Sequence, residues 1–312
     1  MGVDVWCFIS DLNVRHQLRN QGAYQTRVSD FIFRLAALLL TYARYRQIMP
    51  AALPQTYAVL CSTFTAFLTV AIHTILYERG IYPAETFLTA RAYNFPVRQS
   101  RHPLVCQWIN DAVASVEAEM LKQAVARVAV VIFEAEGSGR PLERFVFDIS
   151  HFPTVPPGEL NTPIVRGSGD ENGKVEANAS VDLEEQLRAV MSKLAVCGQT
   201  LKPVPENCTY TICIELNDEV DPPIGHPQPW IPSQPRAQST IVTRGNEAFG
   251  GDLKTELRRG EDVGGVNTVP LRAVDAGDNF VFEMWIEEGK AKMDLQNGTG
   301  MTSTGSSLSS TM

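Results

Sequence analysis

Residues 56–76, TYAVLCSTFTAFLTVAIHTIL, carry no formal charge over roughly the 20 residues that cross a bilayer. The run is therefore either a membrane span or a helix buried on nearly every side within a domain. Its pattern favours the domain. Leu60, Phe64, Phe67, Leu68, Ala71 and Ile75 recur at helical spacing, whereas Ser62, Thr65, Thr69 and His73 gather on another side. We read a helix over residues 55–79, stopped by Gly80 and Pro83, and expect no membrane partner. A second apolar run, FIFRLAALLLTYARYRQIM, is broken by Arg34, Arg44 and Arg46 and follows no basic leader region, so it makes a poor signal peptide. Met49-Pro50 has the form of a chain start. Residues 1–54 are accordingly read as an N-terminal extension or an artefact of gene assignment, and left out of the core.

Charge narrows the partners. Among 312 residues, 27 Lys plus Arg stand against 35 Asp plus Glu, a net charge of -8. Such a field repels phosphate backbones and disfavours direct nucleic-acid binding. The six cysteines form no CxxC pair, and a chain of this size needs no disulfide staples, so free thiols in a reducing compartment are expected.

Beyond the first helix, AYNFPVRQS reads as an irregular extended segment because Pro96 is unsuited to a central strand. His102-Pro103 opens a second helix with Val105, Trp108, Ile109, Ala112, Val113, Val116 and Met120 inward and Asp111, Glu117 and Glu119 outward. A hairpin follows, turning at residues 137–141. Pro, Gly, Asn and acidic residues predict a long mobile loop, about 156–179, before a third helix from Val181 to Val196. CTYTICIEL, residues 208–216, is apolar on both faces, as in mid-sheet. After Asn217 come Pro222, Pro223, Pro227, Pro229, Pro232 and Pro235, then two strand-like runs, TVPLRAV and NFVFEMWIEE. The low-complexity tail, 289–312, is expected to be disordered. The fold class is α+β: helices on a mainly antiparallel sheet.

Catalytic signatures are not found. His16, His73, His102, His151 and His226 make no HExxH-type grouping, and there is no phosphate-cradling glycine loop or GxSxG elbow. No enzyme, cofactor or metal is expected. The chemistry on offer is aromatic: Trp108 on a helix, Trp230 in QPWIP and Trp285 in a terminal strand are the large anchors that interfaces use. Trp108, on the apolar helix face, reads by default as core, and Trp285 alternates with Phe280 and Phe282 as a packing residue does.

In order along the chain, FLTVAIHTILYERGIYPAETF, YNFPVRQSRHPLVCQWI, VAVVIFEAE with RPLERFVFDIS, LEEQLRAVMSKLAVC, CTYTICIEL, PWIP and VFEMWIEE resemble the HORMA domain. The likeness covers residues 55–288. YNFPVRQSRHP and PWIP resemble the branch that serves DNA polymerase zeta as an accessory subunit. ILYERGIYPAETF is shared with the spindle-checkpoint branch, whose role in mitotic progression is the alternative function. The resemblance implies three main helices on the sheet and a mobile C-terminal safety belt, about residues 217–288, that traps an extended partner peptide. It implies a non-catalytic adaptor in damage-tolerant DNA synthesis, either nuclear or both nuclear and cytoplasmic. The trapped peptide would be a proline-containing segment of the polymerase catalytic subunit, held by Trp108, Trp230, Pro232 and Tyr82. A second surface at Thr268, Glu283 and Trp285 would meet the C-terminal domain of the Y-family scaffold polymerase. Arg188, with Lys193 on the same helix, would mediate HORMA self-association as a homo- or heterodimer; a solvated helix-face arginine is the other reading of Arg188. DNA would be reached only through partners.

Overall fold

A computed structural model describes residues 5–8, 54–135, 140–156, 158–164, 175–217, 220, 221, 223, 229–233, 241–243, 255–257, 267–275 and 280–299. The uncharged run forms helix α1, Tyr57–Glu78, capped by the Thr56 side chain, which accepts from the Val59 N–H. All six apolar positions singled out above are buried, and so are Thr65 and His73. A helix enclosed on most sides must satisfy its polar groups internally. The hydroxyls of Thr63, Thr69 and Thr74 donate to the carbonyls of Val59, Thr65 and Val70, and His73 Nδ1 accepts from the Ser100 N–H at 3.3 Å.

Burial pushes the pKa of His73 down to about 4. The unfolded chain binds a proton on falling below about pH 6.5 that the folded chain refuses until about pH 4. Stability is thus complete above the upper value and lost towards the lower, by on the order of 3 kcal/mol. Asp148 and Glu288 are held below ordinary carboxylate values by the hydrogen bonds they accept. Urea unfolding should show about 2 kcal/mol less stability near pH 5 than near pH 7.5. His73→Asn, which keeps an acceptor in place of Nδ1, should flatten that difference; an equally steep profile in the variant would refute the assignment.

Next comes β2 (Phe87–Ala92), paired with β3 (Phe95–Ser100). The irregular segment expected here is a regular hairpin. Tyr93 and Asn94 both take positive φ, 50° and 54°, the geometry of a two-residue turn that matches strand twist. Pro96 is tolerated because this sheet has only two strands, leaving its missing donor on an open edge. Helix α2 is Pro103–Leu121, with the seven predicted inward residues buried. Glu119, predicted outward, is also buried and pairs with Lys122 at 2.9 Å.

Strands β4 (Val125–Glu134), β5 (Pro141–Asp148) and β6 (Cys208–Leu216) form the sheet centre. Residues 137–139 of the predicted turn lie outside the described residues. Helix α3 spans Val175–Leu194, beginning within the segment read as loop. Its first residues are polar and gave no apolar period, yet a formed helix propagates through such residues once the following turns are packed. Part of the expected loop is fastened too, for the Ile164 N–H donates to the Gln55 carbonyl. A short turn, α4 (Cys197–Thr200), leads to β6.

The final third supplies β7 (Trp230–Ser233), a separate pair β8 (Ile241–Thr243) and β9 (Thr255–Leu257), and the hairpin β10 (Asn267–Asp275) with β11 (Val281–Glu288). Two expectations about the ends are corrected. The tail is not wholly irregular: α5 runs Lys290–Thr299, with Lys292 fully buried against Glu143 and Glu288. A lysine that turns inward to carboxylates is invisible to hydropathy, which scores it as solvent-facing. Nor is the N-terminus wholly outside the domain, since Val5–Phe8 form strand β1 inside the main sheet. The seven-stranded order is β10-β11-β5-β4-β6-β1-β7, and every pairing in it is antiparallel.

The core lies between α1, α2 and α3 and one face of this sheet. At its centre Phe64, Phe67, Phe147 and Phe282 meet with ring centroids 5.3–6.3 Å apart. Aromatic edges against faces bind one another beyond simple area burial, and here they tie the first helix to both the sheet centre and its last hairpin.

Candidate functional site

Strand β6 would be an exposed edge but for β1. Trp6 and Cys7 lie opposite Ile214 and Cys213 on one side, and opposite Pro232 and Ile231 of β7 on the other. Among the described residues, strand β7 pairs with β1 alone. The registers place Val5 opposite Glu215 and Phe8 opposite Trp230. The chain therefore leaves β6 at one end of β1 and begins β7 at the other. After β7 the chain passes to the opposite sheet edge, where β11 pairs with β5. A four-residue strand is thus held between a sheet edge and a strap.

Alternation along β1 sends Trp6 and Phe8 to the helix side, and Val5 and Cys7 to the outer face, where they join Ala129, Val131, Val146 and Cys213. The Phe8 ring sits 5.5 Å from Trp108 and 5.6 Å from Trp230, edge to face with both. Trp108 also meets Tyr210 at 4.8 Å, and Tyr210 meets Tyr82 at 6.3 Å. Burial drives the Tyr210 hydroxyl well above its ordinary pKa, so it stays neutral. Thr211 Oγ1 donates to the Phe8 carbonyl at 3.0 Å. Such a place recognises an extended backbone through main-chain hydrogen bonds and a large side chain through aromatic walls.

Of the residues read from sequence, Trp108, Trp230 and Tyr82 therefore converge around one slot, and all three are buried. Pro232 lies on the same strap but is exposed and faces Trp6 across the ladder. Sequence reasoning did not find Phe8, Tyr210 or Thr211. Tyr210 and Thr211 lay in a run read only as mid-sheet, and VWCF lay in the segment set aside. The expectation of free thiols is also corrected at one pair: Cys7 is bonded to Cys213, while Cys61, Cys106, Cys197 and Cys208 take part in no disulfide. No spacing rule could have found a pair 206 residues apart; the register of β1 on β6 makes it.

Thr268, Glu283 and Trp285 all lie on the final hairpin. Thr268 is opposite Glu287, and Glu283 and Trp285 are opposite Ala273 and Pro270, on the outer face away from the helices. Thr268 and Glu283 are exposed; Trp285 is half-buried and its indole N–H donates to Glu287 Oε1 at 2.8 Å. Beside them Arg127 bonds Asp148 at 2.7 Å and Glu215 at 3.1 Å. Burial alone would raise the Asp148 pKa, but hydrogen bonds from Ser150 and Arg127 outweigh it and hold the carboxyl ionised. Arg188 is half-buried, 3.0 Å from Glu185, and borders a depression with Phe95, Gln186 and Arg272. Lys193 is exposed, five residues on and so about 140° round the helix from it.

The HORMA domain family pattern matches residues 62–255. The chain is 31% identical over 225 residues, 72% of its length and 91% of the relative's, to the DNA polymerase zeta processivity subunit of Schizosaccharomyces pombe. It is 32% identical over 161 residues, 51% of its length and 67% of the relative's, to the mitotic spindle assembly checkpoint protein MAD2B of Bos taurus. A chain in the crystal structure of the Mitotic Checkpoint Complex superposes with a TM-score of 0.50 at 18% identity, over 73% of this chain and 97% of that one, a likeness of fold. Family pattern, long relative and likeness of fold agree: the chain belongs to the HORMA domain family.

Proposed function

We propose that this protein is a non-catalytic adaptor subunit of DNA polymerase zeta, acting in the nucleus in damage-tolerant DNA synthesis. Its strap closes over a proline-containing segment of the polymerase catalytic subunit, which adds as a strand to β6 between Trp108 and Trp230. The hairpin face at Thr268, Glu283 and Trp285 offers a second contact, to the C-terminal domain of the Y-family scaffold polymerase. The Arg188 depression is the place for pairing with a second HORMA domain. One observation carries the reading: the gap between β6 and β7 takes an extended strand with pairing on both sides and an aromatic side chain between two tryptophans. The name of the Schizosaccharomyces pombe relative supports the choice of partner, and the net charge of -8 fits an approach to DNA through other proteins.

The name of the Bos taurus relative favours a second reading, a switch in mitotic progression. Immobilised peptides from the polymerase catalytic subunit and from spindle-checkpoint partners, presented to the reduced chain, decide between them. We expect capture on the polymerase peptide at least about tenfold tighter, a difference of about 1.4 kcal/mol. Preferential capture by checkpoint peptides reverses the assignment.

A further inference from the structure

We propose that Val5–Phe8 is a built-in occupant of the clamp, a segment of the same chain that holds the strap shut until a partner peptide displaces it. The inference rests on the reading of the β6–β7 gap as a peptide site. Among the described residues strand β7 makes ladder pairs with β1 alone, so without these four residues it loses the strand it closes on. The segment meets each requirement of a ligand there. Its backbone is in register with both walls, its Phe8 ring fills the space between Trp108 and Trp230, and its last carbonyl accepts from Thr211. Val5 and Phe8 are buried by the fit, at 5% and 9% exposure.

Residues 9–53 connect the occupant to the domain, ample length at about 3.3 Å or more per extended residue. A segment on the same chain is presented at up to about millimolar effective concentration, so a free peptide competes against it at a disadvantage. The Cys7–Cys213 bond removes even that competition, since the occupant cannot leave while it is intact. Its formation is balanced by oxidised glutathione: the two protein thiols give up two electrons and two protons, a sulfur–sulfur bond forms between them, and two glutathione thiols depart. A thiol reductant reverses the exchange and makes the occupant displaceable.

The test uses the full chain and a fluorescent synthetic peptide of its own residues 1–12. Under reducing conditions the chain carrying Phe8→Asp, whose own segment cannot seat a charge between two tryptophans, should bind the probe at least about tenfold more tightly than the unaltered chain. Equal binding by both chains would show that the slot is empty in the unaltered protein and would overturn the inference, leaving the peptide site itself intact. If neither binds the probe, the segment has no affinity for the clamp and the inference falls. Capture of the polymerase peptide by the Phe8→Asp chain then judges the adaptor reading separately. As a second measurement that needs no substitution in the slot, the unaltered chain equilibrated with oxidised glutathione should yield, on non-reducing digestion, a peptide linking Cys7 to Cys213. A monomeric mass supports occupancy within one chain. Free thiols at both positions, or the same link joining two chains, would refute it.

Discussion

Replacing Lys292 with methionine should lower the free energy of unfolding by about 3–5 kcal/mol. The ammonium is completely buried and reaches two carboxylates, Glu143 and Glu288, while Arg79 bonds Glu143 at 2.6 and 2.8 Å. Methionine has the length to fill the space but leaves two buried carboxylates facing one remaining cation. Breaking such a cluster from one side costs more than the cluster ever contributed, because the surviving charge stays out of water. Lys292→Met with Glu288→Leu should therefore recover much of the loss, the coupling that a double-mutant cycle on urea denaturation would reveal. Burial alone would raise the Glu288 pKa, but bonds from Lys292 and Asn267 prevail and lower it. Its contribution is then present above the ordinary glutamate pKa and disappears as pH falls through the folded value, so the penalty should shrink below about pH 4.3. A loss under about 1 kcal/mol at neutral pH would mean that water reaches the cluster and the burial is wrong.

That cluster also shows where sequence reading stops. The first two helices, β6 and the last hairpin were legible because each buries an apolar period of its own, readable without knowing its neighbours. Lys292 and Glu143 were not, since a charged residue looks solvated until its partner, from a distant stretch of chain, is known. Pro96 misled for the opposite reason: proline excludes a central strand, and nothing local says that this strand has an open edge. For the site, Trp230 stood out as an aromatic among prolines, whereas Trp108, readable as core, entered only through the family resemblance. Phe8 was missed because a four-residue strand has no period to detect, and its meaning lies wholly in the two strands beside it.

Trp230→Ala should speed release of a bound peptide by roughly thirtyfold, the equivalent of about 2 kcal/mol or more. Trp230 is 1% exposed, the largest side chain so thoroughly enclosed, yet it stands on a strand of four residues whose pairing depends on the occupant. Its burial energy is consequently spent on holding the strap to whatever lies in the slot, and little of it supports the sheet on the far side of β6. Dissociation of the polymerase peptide, followed after dilution in chains that also carry Phe8→Asp, isolates that contribution from the internal segment. Global stability in urea should fall far less than the 3–5 kcal/mol that a tryptophan truncation exacts in a shared core. Trp108→Ala provides the contrast. Trp108 belongs to α2 and packs on Tyr210 of β6 as well as on Phe8, so its loss should weaken fold and peptide retention together. A folded Trp230→Ala chain that releases peptide at the unaltered rate would show that the strap closes without its tryptophan, and the clamp would have to be sought in the backbone ladder alone.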